Sequence, residues 1–272
     1  PRIGEEKFLE SETFLLGSAN GDLIEVPTGV HTYNFECKLP EEVPYSVASE
    51  HGNIAYKVDV SLVIPWGEGI ESAQPFTVVR HDDLNQIMYA DCRVPVEVEE
   101  IKTFCCLFCK SGPLIIRMQL PKTGFALGEK IPIHVEMDNK STTNVSMTQI
   151  FLKKIEEFHS NPPLSKTKSF KSVITSTITA GVEARKSEEF DAFLEIPQIL
   201  LTSNDRLCKV FVIKYYLNLK AHTPSADGFP DMDIFITIGH VGIVDVTTAE
   251  SSVYPTTLGT EALSAPSELS TT

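Results

Sequence analysis

Strict alternation of apolar and polar residues constrains this chain more than any other feature. In "KIPIHVEMDN" (130–139), Ile131, Ile133, Val135 and Met137 share one side and polar residues take the other. A period of two is that of a half-buried strand. The same pattern runs through "KVFVIKYYLNLKA", where Phe211, Ile213, Tyr215, Leu217 and Leu219 line up. "YKVDVSLVI" opposes Val58, Val60, Leu62 and Ile64 to Lys57, Asp59 and Ser61. Shorter alternating runs are "VHTYNFECKL", "QPFTVV", "RVPVEVEEI" and "MDIFITIG". Turn chemistry separates them: Asn20-Gly21, Pro65-Trp66-Gly67, Gly124 to Gly128, and Asp227-Gly228. No long helical period competes. Many short strands with regular turn signals predict an all-β chain of antiparallel sandwiches. The stretch "LPEEVPYSVASEHGN" stands out, because Pro40 and Pro44 cannot sit inside a sheet ladder and must be loop or edge.

A length of 272 residues accommodates one large β domain or two ordinary ones. The expected division is a first, incomplete sandwich over 1–104, a second over 105–247, and a tail over 248–272 rich in Ser, Thr and Pro. Such a tail buries little and should be mobile. The boundary falls in "IKTFCCLFCKSGP". No apolar run approaches the roughly 20 residues that span a bilayer. The acidic opening, "PRIGEEKFLESETFLLG", does not read as a signal peptide. It lacks an initiating Met and opens in apparent strand, which places the expected natural start upstream.

The net charge of −14 excludes nucleic acid as an expected partner, since phosphate binding needs a basic surface. From Ala221 onward there are seven acids and no Lys or Arg. Residues 151 to 186 reverse this, with seven bases against three acids. Within them, "SKTKSFKSV" places Lys166 and Lys168 on one face of a strand and Lys171 on the other. These three lysines are the candidate site for an anionic partner, whether phosphorylated or acidic tails or anionic lipid. The competing account is that they guard a sheet edge against pairing.

Nothing in the sequence supports catalysis. Nucleophile elbows, phosphate loops, zinc-protease motifs and dinucleotide fingerprints are all missing. Asp82 and Asp83 are adjacent, so on extended chain they face opposite ways. The histidines show no ligand spacing and read mostly as surface residues. Cys105, Cys106 and Cys109 contain a C-x-x-C, but a zinc site needs a fourth ligand at usable spacing. They read as reduced structural thiols, and no metal or cofactor is expected. Six cysteines, three of them crowded, fit a reducing compartment.

A secreted immunoglobulin-like adhesion or receptor fragment is the alternative. Cys37, Trp66 and Cys92 come in the right order, and Asn139-Lys140-Ser141 and Asn144-Val145-Ser146 are sequons. Trp66 sits after its strand, however, and Tyr89 precedes Cys92 by three residues where two are expected.

Taken together, several segments resemble the arrestin-domain proteins of the alpha-arrestin group. In the first half they are "GVHTYNFECKLPEEVPYSV", "GNIAYKVDVSL" and "PFTVVRHDDLN". In the second they are "FCCLFCKSGP", "TGFALGEKIPIHVEMDNKSTTNVSMTQIFL" and "DIFITIGHVGI". The resemblance covers roughly 8 to 245. It implies two tandem immunoglobulin-like β-sandwiches, the arrestin fold, with the first lacking its initial strands. It also implies that the Pro40–Pro44 loop joins two strands and shapes a binding face, and that Asn139 and Ser141 form a turn. By the same resemblance the chain is a non-catalytic, cytoplasmic adaptor recruited to plasma membrane or endosomes. Its partners would be membrane receptor or transporter tails, with ubiquitin ligases engaged through regions outside this sequence. A retromer-type sorting subunit shares the architecture and is a third reading. No P-P-x-Y motif occurs, and Ser165 stands where "PPLS" would need Tyr. The thioredoxin-binding relative uses a cysteine that "ITAGVEARKSEEFDAF" lacks, so thioredoxin is not an expected partner.

Overall fold

The computed structural model describes residues 4–21, 23–106, 109–163, 165–198, 200–224 and 228–244, with backbone alone at 105, 106, 109 and 110. The strands are β1 (Val47–Ala48), β2 (Asn53–Ile54), β3 (Tyr56–Leu62), β4 (Ile70–Phe76), β5 (Val96–Cys106) and β6 (Cys109–Leu120). They continue with β7 (Gly124–Ala126), β8 (Lys130–Asn139), β9 (Met147–His159), β10 (Thr167–Ala180), β11 (Ser187–Glu195), β12 (Phe211–His222) and β13 (Met232–Gly239). One 3-10 segment, Ile87–Arg93, precedes β5.

A five-stranded sheet, ordered β10-β9-β12-β13-β7, and a four-stranded one, β11-β8-β6-β5, form the second sandwich. Its core is the one that alternation picks out. Ile131, Ile133, Val135 and Met137 on β8 are buried, as are Phe211, Ile213, Tyr215, Leu217 and Leu219 on β12. Phe211 stacks on Phe158 with ring centroids 4.6 Å apart. At the β8 exit, Asn139 Oδ1 accepts from the Ser141 backbone N–H and hydroxyl, and Asn139 Nδ2 donates to the Thr143 and Glu183 carbonyls. That is an Asx-type turn. It buries Asn139 to 1% exposure, which leaves its amide no room for a glycan.

The first half is built differently. Its strands form two separate pairs, β1-β2 and β3-β4. β3 alternates as expected, yet only its start is covered: Tyr56 is buried while Val60 and Leu62 stand exposed. Ile64 falls in the turn after β3. The run "VHTYNFECKL" carries no strand, and Val30, Tyr33 and Phe35 lie exposed. Alternation supplies a face, but a ladder also needs a neighbouring strand, and among the described residues none pairs with this run. Cys37 and Cys92 are both free thiols, so the pairing an immunoglobulin domain would need is not made.

Two further expectations can be placed on the fold. The Pro40–Pro44 loop keeps Pro40, Glu41 and Glu42 exposed and turns its far end inward. Val43, Pro44 and Tyr45 are buried, and Val43, Tyr45, Val47, Ile54, Tyr56 and Val78 belong to the same apolar core as Phe211. On either side of residues 107–108, β5 pairs β6 antiparallel from Val96↔Leu120 to Cys106↔Cys109. Position 104/105, where the division is expected, lies within β5. The thiols of Cys105, Cys106 and Cys109 lie outside the described residues, as does the tail from 245 onward.

Truncating Phe211 to Ala should cost about 3–5 kcal/mol, the range for a core aromatic. Chemical denaturation reads this directly, and an unchanged midpoint would refute the shared core.

Candidate functional site

The two halves meet at a short segment, residues 80–86, laid against the end of β13. Asp82 is its centre and is 1% exposed. The carboxylate accepts from Arg80 Nε at 2.5 Å and from the Thr202 hydroxyl at 2.6 Å. Arg80 also donates to the Glu41 carbonyl, at the edge of the proline-bracketed loop. From the same loop the Tyr45 hydroxyl donates to the Thr202 carbonyl at 2.7 Å, and the Tyr56 hydroxyl donates to the Pro44 carbonyl. Burial pushes the Tyr45 hydroxyl above its ordinary value and that of Tyr56 up to about 12, so both stay protonated donors. A buried charge is tolerated only when paired and hydrogen-bonded. Here both carboxylate oxygens have partners from different parts of the chain.

Main-chain bonds reinforce the junction. His240 and Val241 N–H donate to the Asp82 carbonyl, and Leu84 N–H donates to the Val241 carbonyl. The Leu84 side chain is fully buried between two glycines. A Cβ on Gly239 would lie 2.8 Å from Leu84, and one on Gly124 would lie 2.9 Å from Cys92. The two neighbouring acids do face apart, as extended chain requires: Asp83 accepts from the Asn85 backbone and side chain instead. The Asn85 amide then donates to the Gly242 carbonyl. Beneath lies a small cluster of Leu84, Tyr89 and Cys92, with the Arg206 guanidinium 5.3 Å from the Tyr89 ring and bonded to Asp91.

His240 gives this junction a titratable contact. Its Nδ1 accepts from the Asp82 backbone N–H at 3.1 Å, which places the neutral ring's proton on Nε2. The ring stacks on His81 at 4.9 Å. Desolvation lowers its pKa, the Asp82 carboxylate opposes this, and His81 adds to the lowering.

The structure does not bring the three candidate lysines into one patch. Lys166 precedes β10 and exchanges backbone contacts with Ser160. The Lys168 ammonium lies 4.6 Å over the Phe170 ring. Lys171 reaches the opposite face, 5.8 Å over the Tyr216 ring, where Lys153 approaches the same ring at 5.9 Å. None of the three lysines forms an ion pair among the described residues, whereas Lys154, Lys186 and Lys214 each hold a carboxylate. Sequence spacing had assigned the faces; Lys153 and Tyr216 join Lys171 only through the β9–β10 and β9–β12 pairings. Among the described residues no group of His, Cys, Asp or Glu could hold a metal ion, and no helix is long and apolar enough to cross a membrane.

Two β-layers packed on one apolar core, with the first half tied to them through the buried Asp82 contact, make up the described part of the chain. The sequence model described as "Arrestin (or S-antigen), N-terminal domain" matches residues 2–85, and its "C-terminal domain" counterpart matches 110–243. The chain therefore belongs to the arrestin family, with alpha-arrestin relatives. It is 25% identical over 212 residues to human arrestin domain-containing protein 4, covering 76% of this chain and 48% of that one. Human arrestin domain-containing protein 1 is 21% identical over 82% of this chain and 49% of its own. Arrestin domain-containing protein 17 of Caenorhabditis elegans reaches 32% over 43% of this chain and 27% of its own. The chain spans about half, or less, of the length of these relatives.

Two outcomes test the junction. Asp82→Ala should cost about 3–5 kcal/mol, because Arg80 would be left largely buried without its partner. A loss below about 1 kcal/mol in urea unfolding would remove Asp82 from its central place. For His240 the folded pKa lies below the unfolded value, so the unfolded chain binds the extra proton. The stability is fully present above the unfolded value near 6.5 and declines as pH falls through the interval below it. Melting temperature should therefore drop less between pH 7 and 5.5 in His240→Asn than in the natural protein. Equal slopes would show that His240 is not the titrating group.

Proposed function

We propose that this chain is a non-catalytic, cytoplasmic adaptor that engages the tails of membrane receptors or transporters at the plasma membrane or endosomes. The observation carrying this reading is that both arrestin domain models match one chain, in order and without overlap. The fold supports it: two sheets packed on one core offer large rigid faces, and the junction holds the first half against them. Ubiquitin ligases would join through parts of the full-length protein outside this sequence. The anionic contact is assigned to Lys166, Lys168 and Lys171, whose ammonium groups form no ion pair among the described residues. In a chain of net charge −14, these positive charges, spread over both faces of one edge, favour encounters with anionic tails or anionic lipid, and salt weakens them.

Replacing Lys166, Lys168 and Lys171 together with Glu should abolish binding to a phosphorylated receptor-tail peptide and to vesicles containing phosphatidylserine. If a folded triple variant retains both interactions at low salt, these lysines only protect an edge. For the adaptor role itself, proximity labelling in cells should enrich membrane cargo. Labelling confined to secreted or nuclear proteins would overturn it.

A further inference from the structure

The second sandwich leaves β10 and β11 at the edges of their sheets, and the two edges are opposite in charge. β10 reads "TKSFKSVITSTITA": two lysines, no acid, no proline, and many β-branched residues. β11 reads "SEEFDAFLE", with four acids and no base. Each edge presents a row of backbone groups open to another strand. β10 pairs only β9, and residues 167–169 and 171–173 are exposed. The ladder is regular from Thr167 to Val173 and then shifts register before Thr175. That bulge ends the regular edge and limits indefinite sheet growth.

We propose that β10, over Thr167–Val173, binds an extended acidic segment of a partner protein by strand addition. This rests on the adaptor reading and names the mode and chemistry of its contact. Edge lysines discourage pairing with neutral or basic strands, yet directly opposed acids convert the same residues into attractive cross-strand pairs. Lys168 is paired across from Phe158, and Lys171 from Ile155, so the two point to opposite faces of the sheet. Their ammonium groups lie over the Phe170 and Tyr216 rings, and among the described residues no carboxylate holds them. An added strand meets both only if its acids are three residues apart, one on each face. Backbone bonds then supply affinity and the acid spacing supplies selection. The acidic edge of β11 rejects the same segment. A second copy is disfavoured as occupant because each chain carries a charge of −14.

The probe is a capped peptide, Thr-Glu-Val-Thr-Glu-Val-Thr, added to the full chain and followed by fluorescence anisotropy and amide hydrogen exchange. We expect saturable, salt-sensitive binding with new protection confined to residues 167–173. Moving the glutamates two apart, or N-methylating alternate amides, should weaken binding at least about tenfold. Lys168→Glu with Lys171→Glu should abolish it and instead bind the peptide with lysines in place of glutamates. That charge-swap rescue separates a lost contact from a misfolded variant. Binding indifferent to N-methylation, or protection elsewhere, overturns strand addition. Concentration-dependent self-association that protects β10 would assign the edge to a second copy and overturn the acidic partner. If the peptide fails while a phosphorylated receptor tail still binds, the edge is refuted and the adaptor reading stands.

Discussion

The Asp82 carboxylate is the contact on which the arrangement of the two halves depends. It lies in apolar surroundings with one oxygen on Arg80 and the other on Thr202. Arg80 reaches back to Glu41, and the Thr202 carbonyl receives the Tyr45 hydroxyl. A buried ion pair of this kind is weak evidence for net stability, because desolvation offsets most of the attraction. What it supplies is definition. An unpaired buried carboxylate is so costly that any arrangement separating the halves must first bring water to Asp82. Leu84 works in the same direction, since its side chain fits only because Gly124 and Gly239 have no Cβ there.

This junction explains how the first half keeps its place. Two pairs of strands make no independent core, and the apolar residues at the far end of β3 face solvent. A two-stranded hairpin is marginal alone in water. The near end is different. Tyr45, Val47, Ile54 and Tyr56 are extensions of the second sandwich's own core. The prolines contribute by keeping the chain at 40–44 out of any ladder, which lets Tyr45 turn inward.

Function in such a molecule resides in surfaces, and the surfaces here differ by sheet edge. The basic stretch is less basic in space than in sequence. Lys154 and Lys186 are neutralised by Glu156 and Glu183. Lys153 donates to Asn218. Among the described residues, Lys166, Lys168 and Lys171 along the start of β10 hold no carboxylate, and the backbone there is also open.

Much of the fold was legible in the residues themselves. The alternation on β8 named the buried side of that strand correctly, because a strand's side chains must alternate whatever covers them; on β12 the named face is buried, and so are Val212, Tyr216 and Asn218 on the other. The turn at Asn139 and Ser141, implied by the family resemblance, is held by local hydrogen bonds, and the opposed faces of Asp82 and Asp83, or of Lys168 and Lys171, followed from parity alone. Tertiary structure decided what covers each face. Residues 30–39 alternate as well as any strand, yet no ladder forms there, since pairing needs a second chain segment at hydrogen-bonding distance. Thr202 is 120 residues from Asp82, and His240 is 158 residues from it. No local pattern encodes such a partner. Sequence fixes the direction of each side chain relative to its own strand; only packing of distant segments decides whether that direction leads to core, to an ion pair or to an open edge.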